Sequence, residues 1–446
     1  MRVTVIGAGH VGLVTAVCLA KLGHEVVADD DDAAKMDLLR QGTAWFYEPG
    51  LEELLREALT AGSLRFTSDK AEAVRHGEVI FICVGTPSRP DGSPNLAFVE
   101  AVAREVARHL PVGELKLICE KSTVPVQTGE KVAQVIDREA PDGAVYEVAS
   151  NPEFLREGSA VTDTLRPDRI VVGTDSERGA AVLRELYAPI LQDSDCEWLA
   201  TDRATAELIK HASNAFLATK ISFINAVARV CERSGADVEV VARGMGLDPR
   251  IGPSFLRAGP GYGGSCFPKD VAAFAHRSRE LGVDFTMLNE VARINIEARR
   301  SVVEKVRDLL WHLDGKRIGV LGLTFKPETD DLRESPAIDV VRALLDDGAS
   351  VVVYDPVASD SETRQLLPGF ERAAKAIDVA DGAHALVLLT EWAEFADLDP
   401  VALAERMAYP IVVDARNALD RERYLAAGFT VAGMGRPVAG RDRKGR

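Results

Sequence analysis

The residues that most restrict the fold stand at the start of the chain. Val3-Thr4-Val5-Ile6 is a short apolar run that leads directly into Gly7-Ala8-Gly9-His10-Val11-Gly12, and a helical pattern follows through Leu22. A bare G-x-G-x-x-G carries little weight, but a strand before it and a helix after it give it meaning. In that setting the glycines permit a tight turn and let a pyrophosphate approach the amino end of the helix. A second strand, 24–28, runs into Asp29-Asp30-Asp31-Asp32 about 20 residues past the glycines, where a carboxylate would bond a ribose hydroxyl. Register selects Asp30, and the other three read as a solvated acidic patch. A carboxylate at that point repels a 2′-phosphate, so NAD is favoured over NADP.

Further strands are expected at 79–84, 115–119, 146–149 and 170–172, with helical stretches such as 96–110 between them. This alternation specifies an α/β, doubly wound, mainly parallel sheet whose ligands lie beyond the carboxyl ends of its strands. Three of those ends carry turns, Gly85-Thr86-Pro87, Lys121-Ser122-Thr123-Val124-Pro125 and 151–158, all expected at the cofactor cleft. A helix is expected over 204–234, free of Gly and Pro and far longer than the average of roughly 11 residues, a length suited to a dimer seam. Lys210 and Asn214 share one of its faces, with Glu207 a turn earlier, although spacing alone favours a solvated surface face. A second strand-turn-helix unit begins at 317–322 with the turn Leu323-Thr324-Phe325-Lys326-Pro327. Strands at 350–354, 385–389 and 411–413 complete another small parallel sheet. Lys326, Arg333 and Arg416 follow strand ends, the place for holding phosphates. The expected organisation is therefore two Rossmann-like doubly wound domains joined by a long central helix. Its boundaries are 1–200, 201–300, 301–436 and a disordered basic tail at 437–446.

The segment Gly261-Tyr262-Gly263-Gly264-Ser265-Cys266-Phe267-Pro268-Lys269-Asp270 brings a thiol, a lysine and a carboxylate together within five residues. Lys269, or a helix starting after Pro268, would lower the thiol pKa from roughly 8.5 and favour the nucleophilic thiolate. A lone cysteine by a glycine turn reads as structural, but these charges and glycines reverse the odds. Phe255-Leu256-Arg257, just before it, could pack a base and neutralise a diphosphate.

The 446 residues suffice for two to four domains, and the formal net charge of −16 argues against nucleic acid or an anionic membrane as a partner. No apolar run approaches the roughly 20 residues of a membrane span, and no signal peptide opens the chain, so a cytoplasmic location is expected. The six cysteines show neither a C-x-x-C pair nor zinc spacing, and no disulfide or metal is expected.

Taken in order, the glycine fingerprint, Val84-Gly85-Thr86-Pro87, the K-S-T-V-P and N-P-E-F-L-R-E-G turns, the K-x-x-x-N helix, R-I-G-P-x-F-L, the cysteine loop, G-L-x-F-K-P and L-R-E-S resemble the nucleotide-sugar dehydrogenases, the UDP-glucose/GDP-mannose dehydrogenase family, over nearly the whole chain. The resemblance implies a homodimer or higher oligomer that oxidises a sugar's primary alcohol to a carboxylate with two NAD+. It implies Cys266 as the nucleophile that captures the aldehyde as a thiohemiacetal, later a thioester, with Lys210 and Asn214 on the developing oxyanion. Asp270 and Thr123 would position a water, and Glu153 would act as acid and base in thioester hydrolysis. The first-step base stays open between Lys210 and the water held by Asp270. Cofactor contacts are implied at Gly7, Gly9, His10, Val11, Gly12, Asp30, Lys35, Gly85, Thr86, Thr123, Glu157, Lys269 and Arg333. The run of four aspartates leaves the ribose contact open by one position. Substrate contacts are implied at Glu153, Phe154, Leu155, Lys210, Asn214, Phe255, Leu256, Gly259, Tyr262, Gly263, Lys326 and Arg416, with Arg250 reaching a neighbouring subunit's site. The loop sequences favour UDP-glucose, giving UDP-glucuronate, over a UDP-N-acetylhexosamine or GDP-mannose. Two rivals remain: a 3-hydroxyacid dehydrogenase, which needs neither Cys266 nor the second domain, and a silent nucleotide-sugar-binding protein, which has no use for an activated thiol.

Overall fold

A computed structural model describes residues 1–440. It comprises two compact units, one of Met1–Ser213 with Ala272–Val283 and one of Asn214–Val271 with the residues from Asp284 onward.

The first unit is built on strands β1 (Arg2–Ile6), β2 (Glu25–Asp29), β3 (Leu64–Thr67), β4 (Val79–Ile82), β5 (Leu115–Glu120), β6 (Val145–Ser150), β7 (Arg169–Thr174) and β8 (Glu197–Thr201). Their spatial order is β3-β2-β1-β4-β5-β6-β7-β8. The first six are mutually parallel in the doubly wound order 3-2-1-4-5-6. β7 turns antiparallel against β6 and carries β8 with it. Because side chains alternate across a strand, β4 feeds both faces. Val79 and Phe81 join the core beneath the helix His10–Lys21, and Ile80 and Ile82 join the core beneath Ala97–Arg108 and Thr128–Glu139. A strand buried on both faces reads as one apolar run, which is why β4 was visible in the sequence. β3 and β8 were not anticipated: they are edge strands, and β8 is largely exposed or half-buried.

The expected long helix spans Arg203–Ser234. A second, Thr286–Leu310, was missed. Its buried stripe, Leu288, Val291, Asn295, Ala298, Val302, Val306 and Leu310, follows three- and four-residue steps. An asparagine inside the stripe and many charges outside it weaken the pattern.

The second unit holds β9 (Arg317–Leu321), β10 (Ser350–Tyr354), β11 (Glu371–Arg372), β12 (Ala385–Leu388), β13 (Ile411–Asp414), β14 (Thr430–Gly433) and β15 (Arg436–Ala439), in the order β11-β10-β9-β12-β13-β14-β15. All neighbours are parallel except β14 and β15. β15 corrects the expectation of a tail from 437: it pairs with β14, and Arg436 is held by Asp237 at 3.1 Å. The rest of the expected tail, 441–446, lies outside the described residues. Among the described residues no helix is long and apolar enough to cross a membrane.

Candidate active site

In the first unit the glycine turn joins β1 to the helix His10–Lys21. Gly7 has φ +98°, and a Cβ there would lie 2.5 Å from the Cys83 carbonyl oxygen; one on Gly12 would lie 1.8 Å from the Gly7 oxygen. A Cβ on Gly9, by contrast, would meet nothing within 4 Å. One glycine thus turns the chain, one seats the helix on the strand, and one leaves open space at the helix amino end, which fits a dinucleotide pyrophosphate. His10 packs its ring 3.9 Å from that of Phe46, and Val11 is half-buried behind it.

Asp30 stands one residue beyond β2 and accepts from Ala8 N at 2.7 Å, Asp32 N at 3.0 Å and Lys35 Nζ at 3.0 Å. Burial alone would raise its carboxyl, but the Asp32 and Ala8 amides and the Lys35 ammonium outweigh it and hold the group below the usual range. Asp29 ends the strand, is buried and pairs with Lys70 at 3.2 Å. Asp29 meets the glycine turn through its carbonyl, which accepts from Gly7 N at 2.8 Å, whereas Asp30 meets it through its side chain, on Ala8 N.

The three turns at the sheet edge are stitched together. Thr86 Oγ1 donates to the Thr123 carbonyl at 3.0 Å, which joins Gly85-Thr86 to the second turn. Glu48, unread in the sequence, accepts from Gly158 N at 2.7 Å and Ala160 N at 2.8 Å, and so fixes the turn that carries half-buried Glu157. Lys121 is buried, with Nζ 3.0 Å from Asn151 Oδ1 and 3.4 Å from the Tyr187 hydroxyl, and so serves the scaffold.

Lys210 and Glu153 form a buried ion pair at 3.0 Å. Glu153 also accepts from Leu155 N at 2.6 Å, while the Phe154 ring lies 5.4 Å from Lys210 Nζ and 3.9 Å from the Arg169 guanidinium carbon. Beside Lys210 a cavity of about 10 Å³, room for about one water, is lined by Glu120, Thr123, Ser150 and Glu207 among others. Glu207 accepts from Gln127 N, Gly129 N and Ser150 Oγ, yet burial pushes its carboxyl up to about 7. Glu120 accepts from Ser122 N at 2.8 Å and leaves Oε2 buried without a partner; burial, opposed by Ser122 and reinforced by Glu207, pushes it up to about 8.

A folded-state value above the unfolded 4.5 means the native chain holds this proton more tightly than the unfolded one. Its stabilisation is full below about pH 4.5, shrinks as pH rises, and is lost above about pH 8. Glu120→Gln, a neutral isostere, should therefore match wild type near pH 5 and melt roughly 5 °C higher at pH 8.5, for a linkage of a few kcal/mol. Thermal unfolding at both pH values checks this, and a gap that does not change with pH would refute it.

In the second unit, Asn214 Nδ2 donates to Asp270 Oδ2 at 2.6 Å, and Lys269 Nζ pairs with Asp270 Oδ1 at 2.9 Å. Asp270 is 1% exposed. Its N–H bonds the Cys266 carbonyl at 2.9 Å, so Cys266 opens the first turn of the helix Phe267–Glu280, an end that favours negative charge. Cys266 is half-buried with Sγ 3.5 Å from Ser265 Oγ, whereas burial pushes the Cys18 and Cys83 thiols up to about 12.

The loop before Cys266 is held by close backbone contact. A Cβ on Gly263 would lie 2.3 Å from the Glu334 oxygen and one on Gly264 2.8 Å from the Phe325 ring, while Gly264 N bonds the Arg333 carbonyl at 3.0 Å. Asn295, the polar break in the second long helix, grips Tyr262 through N–H at 2.7 Å and carbonyl at 3.0 Å. Asn225 accepts from Gly259 N at 2.8 Å. Phe255 takes φ +64° and sits 6.2 Å from Phe267, and Leu256 is buried.

The expected phosphate holders are less free than their positions suggested. Arg416 donates to the Leu389 and Phe325 carbonyls at 2.7 and 2.8 Å and pairs with Glu391 at 3.2 Å. Arg333 forks onto Asp331, with Nε and Nη2 each donating at 2.8 Å, and Lys326 Nζ lies 5.7 Å from the Phe325 ring. Arg250 is not brought to these clusters: its side chain is 87% exposed and paired with Asp248.

Residues 1–191 match the NAD binding domain of the UDP-glucose/GDP-mannose dehydrogenase family, 204–297 its central domain and 319–421 its UDP binding domain. The chain belongs to this family. Among individual relatives, a UDP-glucose 6-dehydrogenase from Rhizobium meliloti (strain 1021) is 46% identical over 98% of this chain and 100% of its own length. One from Bacillus subtilis (strain 168) is 43% identical over 98% of both. The structure of a UDP-glucose dehydrogenase from Pyrobaculum islandicum aligns with TM-score 0.90 at 40% identity over 98% of each chain. That of a UDP-D-ManNAc dehydrogenase from Pyrococcus horikoshii gives 0.86 at 28% identity, over 98% of this chain and 99% of that one.

Proposed function

We propose that the chain is an NAD-dependent dehydrogenase that oxidises the primary alcohol of UDP-glucose through the aldehyde to UDP-glucuronate. The observation that carries this reading is the buried Lys210–Glu153 pair, together with a half-buried thiol at a helix amino end. The substrate follows from identity of 40% or more to UDP-glucose enzymes along the full chain, against 28% for the UDP-D-ManNAc enzyme.

The glycine turn and Asp30 would hold NAD+, which would supply the hydride acceptor for each of two successive oxidations. Lys210 and Asn214, a turn apart on one helix, stabilise charge on the reacting oxygen. Cys266 Sγ adds to the aldehyde carbon, and its proton ends on the oxygen of the thiohemiacetal. Loss of hydride from that carbon and of the hydroxyl proton leaves a thioester. Glu153 takes a proton from the attacking water, the C–S bond breaks, and carboxylate and thiol are released. Asp270, held by Asn214 and Lys269, orients a water; either that water or Lys210 serves as the first base. Arg333, Lys326 and Arg416 would exchange protein carbonyls and carboxylates for phosphate oxygens.

The test is NADH formed per sugar consumed with limiting UDP-glucose, UDP-N-acetylmannosamine or GDP-mannose. Two equivalents with UDP-glucose alone are expected. One equivalent would overturn the four-electron route, preference for another sugar would overturn the substrate, and no NADH with any of them would favour a binding protein. The working location is the cytoplasm, where nucleotide sugar and NAD+ are both at hand.

The partner beyond small molecules is a second copy of the chain. Phe216, Phe223 and Val230 recur every seven residues on the long helix and are all exposed, an unpartnered apolar stripe. Sedimentation equilibrium should give twice the 48.1 kDa chain mass, and Phe223→Glu should shift it toward monomer. A monomeric wild type at micromolar concentration would refute the dimer.

A further inference from the structure

Trp45 lies in the connection after the helix Ala33–Arg40, and nothing in the sequence pattern singled it out. Its indole Nε1–H donates to the carbonyl of Ala8 at 2.9 Å. Ala8 is the second residue of the glycine turn, and its own N–H is taken by Asp30 at 2.7 Å. Asp30 pairs with Lys35 at 3.0 Å, and the Lys35 ammonium lies 5.1 Å from the centre of the Trp45 ring. The four residues form a closed circuit around one residue of the turn, holding the peptide on each side of Ala8. Phe46 is buried behind it, 4.8 Å from the indole, and His10 meets the indole edge-on at 5.1 Å, yet Trp45 itself keeps 36% of its surface exposed. A buried backing with one open side is the build of a ligand wall.

Building on the dehydrogenase reading, we infer that Trp45 is a cofactor-positioning residue: its N–H fixes the Ala8 peptide of the pyrophosphate turn, and its ring walls the adenosine end of the bound dinucleotide. Both Asp30 oxygens already take two donors each in the structure, Oδ2 from Ala8 and Lys35 and Oδ1 from Asp32 and Lys35. A ribose hydroxyl that donates to Asp30 must displace one of them, and Lys35 is the donor free to yield. The ring face 5.1 Å away keeps a partner for the displaced ammonium, so the turn can exchange a lysine for a ribose without stranding a charge.

The test uses the full-length protein, Trp45→Phe, which keeps a ring and loses the N–H, and Trp45→Ala, which loses both. Excited at 295 nm, wild type should lose tryptophan fluorescence as NAD+ is added. Of the other three tryptophans only Trp198 lies in this unit, on β8, five strands from β1, about 24 Å at the usual spacing. Trp45→Phe should abolish most of the NAD+-dependent change. By calorimetry it should bind NAD+ about 3- to 10-fold more weakly, the effect of one hydrogen bond, and Trp45→Ala more weakly still. In turnover the KM for NAD+ should rise by the same factor, with kcat and the KM for UDP-glucose within about twofold. Wild-type fluorescence change in Trp45→Phe, or wild-type NAD+ affinity in both variants, would overturn the inference. No heat of NAD+ binding to wild type would overturn it together with the dehydrogenase reading, whereas NAD+ binding without sugar oxidation would overturn that reading alone.

Discussion

Cys266→Ser is expected to bind NAD+ as wild type does and to form UDP-glucuronate at least about 10³-fold more slowly. The substitution changes one atom at the amino end of the helix Phe267–Glu280 and leaves the grip of Asn214 and Lys269 on Asp270 untouched. Thermal stability should therefore stay within a degree or two of wild type. Function should not, because a serine hydroxyl at neutral pH is a far poorer nucleophile than a cysteine sulfur. The informative readout is the ratio of products. Wild type should give two NADH per sugar; the serine variant should stop at the aldehyde level, with at most one. A small aldehyde trap such as hydroxylamine should then divert that product from the variant and little of it from wild type. Acid formation by Cys266→Ser at the wild-type rate would remove covalent capture from the mechanism.

What could be read from the sequence, and what could not, follows from the range of each interaction. The glycine turn was legible because most of its demands are local: Gly7 needs a positive φ and Gly12 would clash with the Gly7 oxygen within the same strand-turn-helix, although the carbonyl that a Gly7 side chain would meet belongs to Cys83, beyond β4. β4 and the long helix Arg203–Ser234 announced themselves by unbroken apolar and helix-forming runs. β15 did not, since Arg436 and its neighbours look like a basic tail until β14 offers a strand to pair with. The cysteine loop and the turn at 151–158 could be recognised from their own residues, but their supports could not. Asn295 holds Tyr262 from 33 residues away, Asn225 holds Gly259 from 34, and Glu48 holds Gly158 from 110. Each is a polar side chain whose purpose exists only once the chain has folded, and a buried asparagine in an apolar stripe was the one available signal. The four-aspartate run shows the same limit at single-residue scale. Only the pairing of Ile6 with Asp29 shows that the strand ends there and that Asp30 is the residue beside the turn.

Lys210→Met should be the most destabilising single change at the site, because it strands a carboxylate. Lys210 and Glu153 are both nearly inaccessible and 3.0 Å apart. Burying two charges is repaid only while both are present, so removing one leaves the other without its partner at a cost of about 3–5 kcal/mol. Methionine keeps much of the volume of the lysine stem beside the Phe154 ring, so most of the loss reports charge and little reports a cavity. The double variant Lys210→Met with Glu153→Gln removes both charges and should recover most of that stability, a coupling of at least about 2 kcal/mol in a double-mutant cycle of chemical unfolding. Turnover should move differently. Lys210→Met should lower kcat by roughly 10²- to 10³-fold through loss of oxyanion stabilisation, and the double variant should regain none of it. Because Glu153→Gln also removes the base of thioester hydrolysis, the double variant reports the structural role and the single variant the catalytic one: the ammonium neutralises Glu153 in the resting fold and the substrate oxygen in the reaction. A single variant as stable as wild type would refute the first role, and a single variant that turns over at the wild-type rate would refute the second.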